Sequence, residues 1–172
     1  MTALSNPFIT TGYQGREYFC DREAETATLQ SNLVNGQSTT LLAVRRIGKT
    51  GLIRHTLAQL PKGHTGIYLD ILPTENLTEF LNVLATAVFT ALPEQSRPGR
   101  KILDFIKSLR PVVSFDPLTG LPQLTVNARP GETEQHIQSV LQYLETYPKK
   151  VLIAIDEFQQ ILKYPEKNTD AL

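Results

Sequence analysis

The short run Gly48-Lys49-Thr50 constrains this chain more than any other feature of its sequence. It follows residues 38–44, "STTLLAV", whose β-branched and aliphatic composition predicts a buried strand. It precedes a helical pattern that ends near Leu60. A strand–loop–helix turn with the pattern GxxxxGK[ST] gathers backbone N–H groups and the positive end of a helix around a chain of phosphates. The sequence therefore predicts a phosphate-binding loop over residues 43–50.

Two residues of this loop have defined chemical roles and one departs from the pattern. In such loops the lysine reaches the outer phosphates, and the hydroxyl that follows it ligates Mg²⁺. Ala43 stands where the pattern has glycine. Its methyl group fits if the backbone keeps a negative φ, whereas a positive φ would cost about 1 kcal/mol or more. The alternative is that Gly-Lys-Thr is an ordinary helix start.

A pair of carboxylates forms the second element of the predicted site. The apolar run "VLIAI" predicts a buried strand, and Asp156 and Glu157 follow it directly. In nucleotide hydrolases an acid at this strand end holds Mg²⁺ through water, and a neighbouring glutamate polarises the attacking water. Many buried strands also end in a polar loop, so the acidic pair alone is weak evidence for a nucleotide site. Both elements in this order predict a nucleotide site.

The rest of the chain alternates between strand and helix patterns, which predicts an α/β fold with a parallel sheet. One helix is expected between an N-cap at Asp21 and a C-cap at Gly36. A β-hairpin is expected around a five-residue loop that starts at Asp116. The other expected elements are a strand "TGIYLDIL", a helix capped by Asn76 and Glu79, a helix after Pro98, and a helix over 132–147.

Composition excludes several classes of protein. Seventeen basic residues balance seventeen acidic ones, so there is no chain-wide charge for nucleic acid, although the basic helix after Pro98 leaves a local contact open. Cys20 is the single cysteine, which excludes an internal disulfide framework and fits a reducing compartment. The sequence shows no signal peptide and no apolar run of membrane-spanning length. We therefore expect a cytoplasmic protein that has no membrane partner.

Taken together, these motifs resemble a known family. "RRIGKT" with "IDEFQQI" is similar to the prokaryotic ATPases of the archaeal-type AAA family, which are ring-related or signal-transducing P-loop ATPases. "YFCDREAETATL" is similar to the box that lies before the first strand in that family. The hairpin sequence also resembles an insertion found in a bacterial branch of the family. The resemblance spans roughly residues 6–164.

The resemblance implies a P-loop NTPase-type parallel sheet with flanking helices and a β-hairpin insertion at about 111–128. It implies an N-terminal arm over residues 1–20 and an ATPase domain over 21–172. The ligands would be ATP and Mg²⁺. The implied catalytic residues are Glu157, the base-like residue, and Lys49; the implied metal residues are Thr50 and Asp156; the implied ATP-binding residues are Phe19 and Arg22 near the adenine, and Arg46, Ile47, Gly48, Lys49, Thr50 and Gly51 in the loop.

The family's sheet contains strands for which this sequence shows no counterpart, namely a fourth strand with a polar sensor residue and a fifth strand. We therefore expect an incomplete fold, the N-terminal part of a longer ATPase or a truncated product, that binds ATP and hydrolyses it poorly. In a complete chain, Mg²⁺-dependent ATP hydrolysis would drive a conformational switch. The alternatives are a nucleotide-binding module without turnover and a nucleic-acid-stimulated motor. Self-association or a protein partner is left open.

Overall fold

The structure is a computed structural model that describes residues 12–44, 47–92, 104–109, 111–129 and 131–165. The chain divides into two compact units, Met1–Gly66 and Ile67–Leu172. Most of the expected N-terminal arm and the first half of the expected helix after Pro98 lie outside the described residues. The described part of that helix is residues 104–108, labelled α4.

The first unit contains two helices that pack against each other, α1 (Glu23–Val34) and α2 (Lys49–Ala58). Leu29 of α1 and Leu52 of α2 are buried. A short 3₁₀ turn, Arg16–Tyr18, precedes them. The predicted cap at Asp21 is wrong by one residue: Arg22 is the N-cap, since Asp21 has a left-handed backbone with φ 61°.

The C-cap predicted at Gly36 is wrong by one residue, because α1 ends one position earlier. Asn35 is the C-cap, and Gly36 comes next with φ 74°. Its N–H donates to the carbonyl of Leu33 (3.0 Å). Glycine ends the helix because it adopts this left-handed conformation without a Cβ penalty.

The predicted strand over 38–44 is wrong. Residues 37–44 form no strand, and the side chains of Leu42 and Val44 are 90% and 77% exposed. A strand is stabilised by hydrogen bonds to a neighbouring strand and by burial of its side chains. Within the described ranges no strand pairs with this segment, so its apolar composition is not sufficient to make it a strand.

The predicted α/β architecture is present in a small form. Strand β1 (His64–Asp70) and strand β4 (Lys150–Asp156) form a two-stranded parallel sheet. Both were expected from their apolar runs. The pairing reaches the carboxyl ends of the strands, where the N–H of Ile71 donates to the carbonyl of Asp156 (3.4 Å).

Helix α3 (Leu77–Ala91) lies in the main core, and its start follows the prediction. The side chain of Asn76 accepts from the N–H of Glu79 (2.9 Å), and the Glu79 carboxylate accepts from the N–H of Glu75 (2.7 Å). The first bond satisfies an N–H that the helix leaves unpaired, and the second fixes the chain just before the N-cap. The buried face of α3 packs with α5 (Thr133–Glu145), and the core contains Leu81, Leu84, Ala85, Val88, Val140 and Leu144.

The predicted hairpin is confirmed. Strand β2 (Val112–Phe115) pairs antiparallel with β3 (Pro122–Thr125). The carboxylate of Asp116 holds the connecting turn, because it accepts from the N–H groups of Leu118 (2.9 Å) and Thr119 (2.8 Å). These two hydrogen bonds stabilise the charged form and lower the pKa of Asp116, the bond from Thr119 first.

Candidate functional site

The N-terminus of α2 follows a left-handed glycine. Gly48 has φ 81° and ψ 25°, and its carbonyl accepts the first helical hydrogen bond, from the N–H of Leu52 (3.0 Å). A side chain at position 48 would meet no atom of the described residues within 4 Å, so the left-handed backbone conformation is what favours glycine here. Within the part of the chain that the structure describes, the space beside this helix start is open.

The side chain of Lys49 folds back over the loop that precedes α2. Its ammonium donates to the carbonyl of Ala43 (3.1 Å). This bond spans the segment in which a phosphate-binding loop was predicted, from its first residue to its lysine. It places a positive charge on the same side of the segment as the Ala43 carbonyl.

Arg22 contacts the loop at Ile47, the residue before Gly48. Its guanidinium donates to the carbonyl of Ile47 (2.6 Å), and it lies 4.0 Å from the carboxylate of Glu25. In a trans peptide the C=O and the following N–H point in opposite directions. With the Ile47 carbonyl turned toward Arg22, the N–H of Gly48 therefore points away from the guanidinium.

An aromatic cluster lies against α2. The ring of Phe19 stacks on His55 with centroids 3.9 Å apart, and the ring of Tyr13 meets both edge-on. Gly51 is beside this cluster, since a Cβ there would lie 3.6 Å from Phe19 Cε2. The resemblance indicated Phe19, whereas the motifs gave no reason to select Tyr13 or His55.

The environment of His55 favours its neutral form. Its ring is buried, its Nδ1 bonds the hydroxyl of Tyr13 (3.1 Å), and its Nε2 bonds the amide of Gln59. Burial lowers the pKa of His55, and the charge of Arg16 lowers it further, while Glu23 raises it. The cluster is thus an aromatic surface beside α2, with its polar atoms paired to one another.

The carboxyl end of β4 carries the acidic pair. Asp156 is 8% exposed, and its carboxylate accepts from the hydroxyl of Tyr68 (2.9 Å) and the N–H of Glu157 (3.0 Å). Glu157 has φ 57°, which is unfavourable for a residue with a Cβ. Its carboxylate accepts from the side chain of Gln159.

The segment after Glu157 is tied to the loop that follows β1. The amide of Gln160 donates to the carbonyl of Thr74 (2.8 Å), and the hydroxyl of Tyr164 bonds that of Thr74. Tyr164 is fully buried. Strand β4 fixes the chain before Glu157 and these contacts fix it afterwards, so the surrounding structure holds the left-handed backbone of Glu157.

The predicted site residues fall into two sets. Phe19, Arg22 and residues 47–51 lie together in the first unit, and Asp156 with Glu157 lie in the second. Arg46 is outside the described residues. The described ranges contain no group of three or more His, Cys, Asp or Glu side chains placed to hold a metal ion. The sequence did not indicate the contacts of Arg22 and Tyr68, which join distant positions.

Comparison with protein-family models, curated proteins and solved structures gives no significant match for this chain. None of the helices described above combines the length and the apolar character that a bilayer crossing requires.

Proposed function

We propose that this chain is the ATP-binding P-loop domain of an AAA-type ATPase, and that Mg²⁺-dependent hydrolysis drives a conformational switch in the complete protein. The start of α2 is the observation that carries the proposal. There a left-handed glycine, a lysine and a hydroxyl residue occupy three successive positions at a helix N-terminus. Positive dipole ends, free N–H groups and an ammonium are the features that bind phosphate anions.

The residues present fit both ligands chemically. The open space at Gly48 leaves room for a phosphate close to the backbone. Lys49 would exchange the Ala43 carbonyl for phosphate oxygens, which are stronger acceptors because they are charged. The hydroxyl of Thr50 is a hard oxygen donor of the kind that Mg²⁺ prefers. The metal would supply charge neutralisation at the phosphates.

The proposed role of Arg22 is to position the loop. By fixing the Ile47 carbonyl on one side, Arg22 keeps the N–H of Gly48 directed to the other. Because these amides are already ordered before the ligand arrives, less conformational entropy is lost when phosphate binds. The stacked ring of Phe19, one turn from the helix start, provides an apolar surface for the base.

Calorimetric titration with Mg-ATP tests the proposal. We expect binding heat from the native chain and none from Lys49→Ala. Lys62→Ala is the matched control, because it removes the same charge from an exposed position in the same unit and should bind normally. Absence of heat from the native chain, or equal heat from both variants, would refute nucleotide binding at this loop.

Inorganic triphosphate separates the roles of Arg22 and Phe19. If Arg22 positions the loop, Arg22→Ala weakens ATP and triphosphate by the same factor, roughly tenfold for one charge-assisted hydrogen bond. Phe19→Leu should weaken ATP and leave triphosphate unchanged. A loss at Arg22 confined to ATP would instead assign Arg22 to the adenine.

A binding module without turnover is the second candidate. It is favoured by the environment of Glu157, whose carboxylate is engaged by Gln159 and whose backbone is strained. Glu157 is the residue that would orient the attacking water. Equal phosphate release by the native chain and Glu157→Gln, with ATP binding retained in both, would support this candidate. A loss of release in Glu157→Gln alone would support the hydrolase.

A further inference from the structure

One edge of the β2–β3 hairpin is closed by side chains of α3. In the observed register Asp116 lies opposite Leu121, and the N–H of Asp116 donates to the carbonyl of Leu121. Only every second pair of an antiparallel ladder is hydrogen-bonded. The backbone N–H and C=O groups of residues 122, 124 and 126 therefore point away from β2, to the outer side of β3. Residue 122 is proline and has no N–H. The N–H of Leu124 donates to Thr86 Oγ1 (2.9 Å) and that of Val126 to Asn82 Oδ1 (2.7 Å). The outer N–H groups of β3 are therefore satisfied.

The other edge of the hairpin is open. The same alternation turns the backbone groups of Val113 and Phe115 away from β3. In the part of the chain that the structure describes, no hydrogen bond to either residue's outward groups is found. Their side chains are 50% and 68% exposed. A sheet edge of this kind is a template for another strand.

The surface around this edge is apolar and nearly uncharged. Asp116 is the sole charged residue between positions 111 and 126, and its carboxylate is used in the turn. Five apolar side chains on and beside this edge are exposed, on both faces of the hairpin, and exposed apolar surface of this kind is often an interaction site. They are Val112, Val113, Phe115, Leu118 and Leu121.

We propose that this edge binds a second copy of the chain, with β2 of each copy paired antiparallel across a two-fold axis at Ser114. In this register Val113 of one copy faces Phe115 of the other, and each such pair exchanges two backbone hydrogen bonds. Aromatic and β-branched side chains are favourable cross-strand neighbours. The two hairpins then form one four-stranded sheet.

The prolines that flank β2 select this register. Pro111 and Pro117 would be the next residues to pair outward, and neither has an N–H. Centring the axis on Val113 or Phe115 would place one of these prolines in two of the three outward pairs, and each of those pairs would form one hydrogen bond instead of two. Centring it on Ser114 forms two complete pairs with two bonds each and ends the pairing before the prolines. The two serines then form the closest Cα pair, which a small side chain permits.

Charge and the sequence of β2 both fit a second copy. Identical copies approach without repulsion, because the chain has a formal net charge of 0 and β2 itself carries none. The edge offers a partner of opposite charge nothing to recognise. Pairing of β2 with β2 covers mainly Val112, Val113 and Phe115 of each copy, which is less than the roughly 1,000 Å² of a stable specific interface, so the dimer should be weak and reversible.

Sedimentation or light scattering over a concentration series measures the association. We expect a monomer–dimer equilibrium whose dissociation constant rises roughly tenfold or more in Phe115→Lys, since a symmetric dimer receives the charge twice. Leu162→Lys is the matched control, being 76% exposed outside the hairpin, and should dimerise normally. Circular dichroism confirms that each variant is folded. A chain that stays monomeric, or a dimer unaffected by Phe115→Lys, overturns the proposal.

A cysteine at position 114 tests the axis itself. In a Cys20→Ser background, Ser114→Cys should form an intermolecular disulfide on mild oxidation, because Cα atoms about 4.5 Å apart suit that bond. Gln123→Cys is the control: it lies across from Ser114 on β3, and three strand spacings, about 14 Å, would separate the two copies. A dimer that crosslinks equally at 123, or not at 114, contradicts this pairing, and neither result depends on nucleotide binding.

Discussion

The side chains of Asn82 and Thr86 accept hydrogen bonds from the outward N–H groups of β3, as a third strand would. Removing either acceptor should lower the urea concentration at which the second unit unfolds. They lie one helical turn apart, about 6 Å, which nearly matches the two-residue rise of a strand. Val126 is 1% exposed and Leu124 is 3% exposed. Asn82→Ala leaves the Val126 N–H without its acceptor, and Thr86→Val does the same to Leu124 while keeping the side-chain volume. A buried N–H without a partner costs about 1–3 kcal/mol.

Urea unfolding followed by circular dichroism measures this loss in free energy. Each kilocalorie should also lower the melting temperature by roughly 4–8 °C for a unit of this size. Thr90→Val is the control, because its exposed hydroxyl donates to the carbonyl of Thr86 within α3 (2.8 Å) and is not the acceptor of either of these two β3 N–H groups. A change below about 0.5 kcal/mol for both Asn82→Ala and Thr86→Val, as for an ordinary surface substitution, would refute the reasoning.

Three further predictions concern single residues. The pKa of His55 is lowered in the folded chain. Its contribution to the unfolding free energy is therefore complete above the unfolded pKa of 6.5 and is lost as the pH falls toward the folded pKa. The unfolding free energy measured from pH ~7.5 to ~5.5 should decline more steeply in the native chain than in His55→Gln. Glu157→Gly should raise the unfolding free energy by about 0.5–1 kcal/mol by relieving the left-handed backbone, whereas Glu157→Ala, which keeps a Cβ, should not. Gly66→Ala should lower the melting temperature, with a loss of about 1–3 kcal/mol, because its Cβ would lie 2.9 Å from Leu57 Cδ2 and 3.0 Å from Leu57 Cβ; an unchanged melting curve would contradict that contact.

The elements that the sequence predicted well are those whose signals are local. The cap at Asn76 depends on a residue three positions away, and the hairpin turn depends on Asp116 and the next three residues. The segment 38–44 has the composition of a strand, but composition does not supply the neighbour that a strand requires. The contacts Arg22–Ile47 and Tyr68–Asp156 join positions 25 and 88 residues apart, and no short pattern encodes them.

The exposed segment 38–44 also affects how this chain behaves at high concentration. Seven consecutive residues there are uncharged, β-prone and free of proline, and Leu42 and Val44 face water. Such a stretch is a nucleus for cross-β aggregation when many chains meet. Arg45 and Arg46 follow it immediately in the sequence, at the position where gatekeeper charges oppose fibre growth. Neutralising this pair of arginines would therefore reduce the solubility of the chain even where its folding free energy is unchanged.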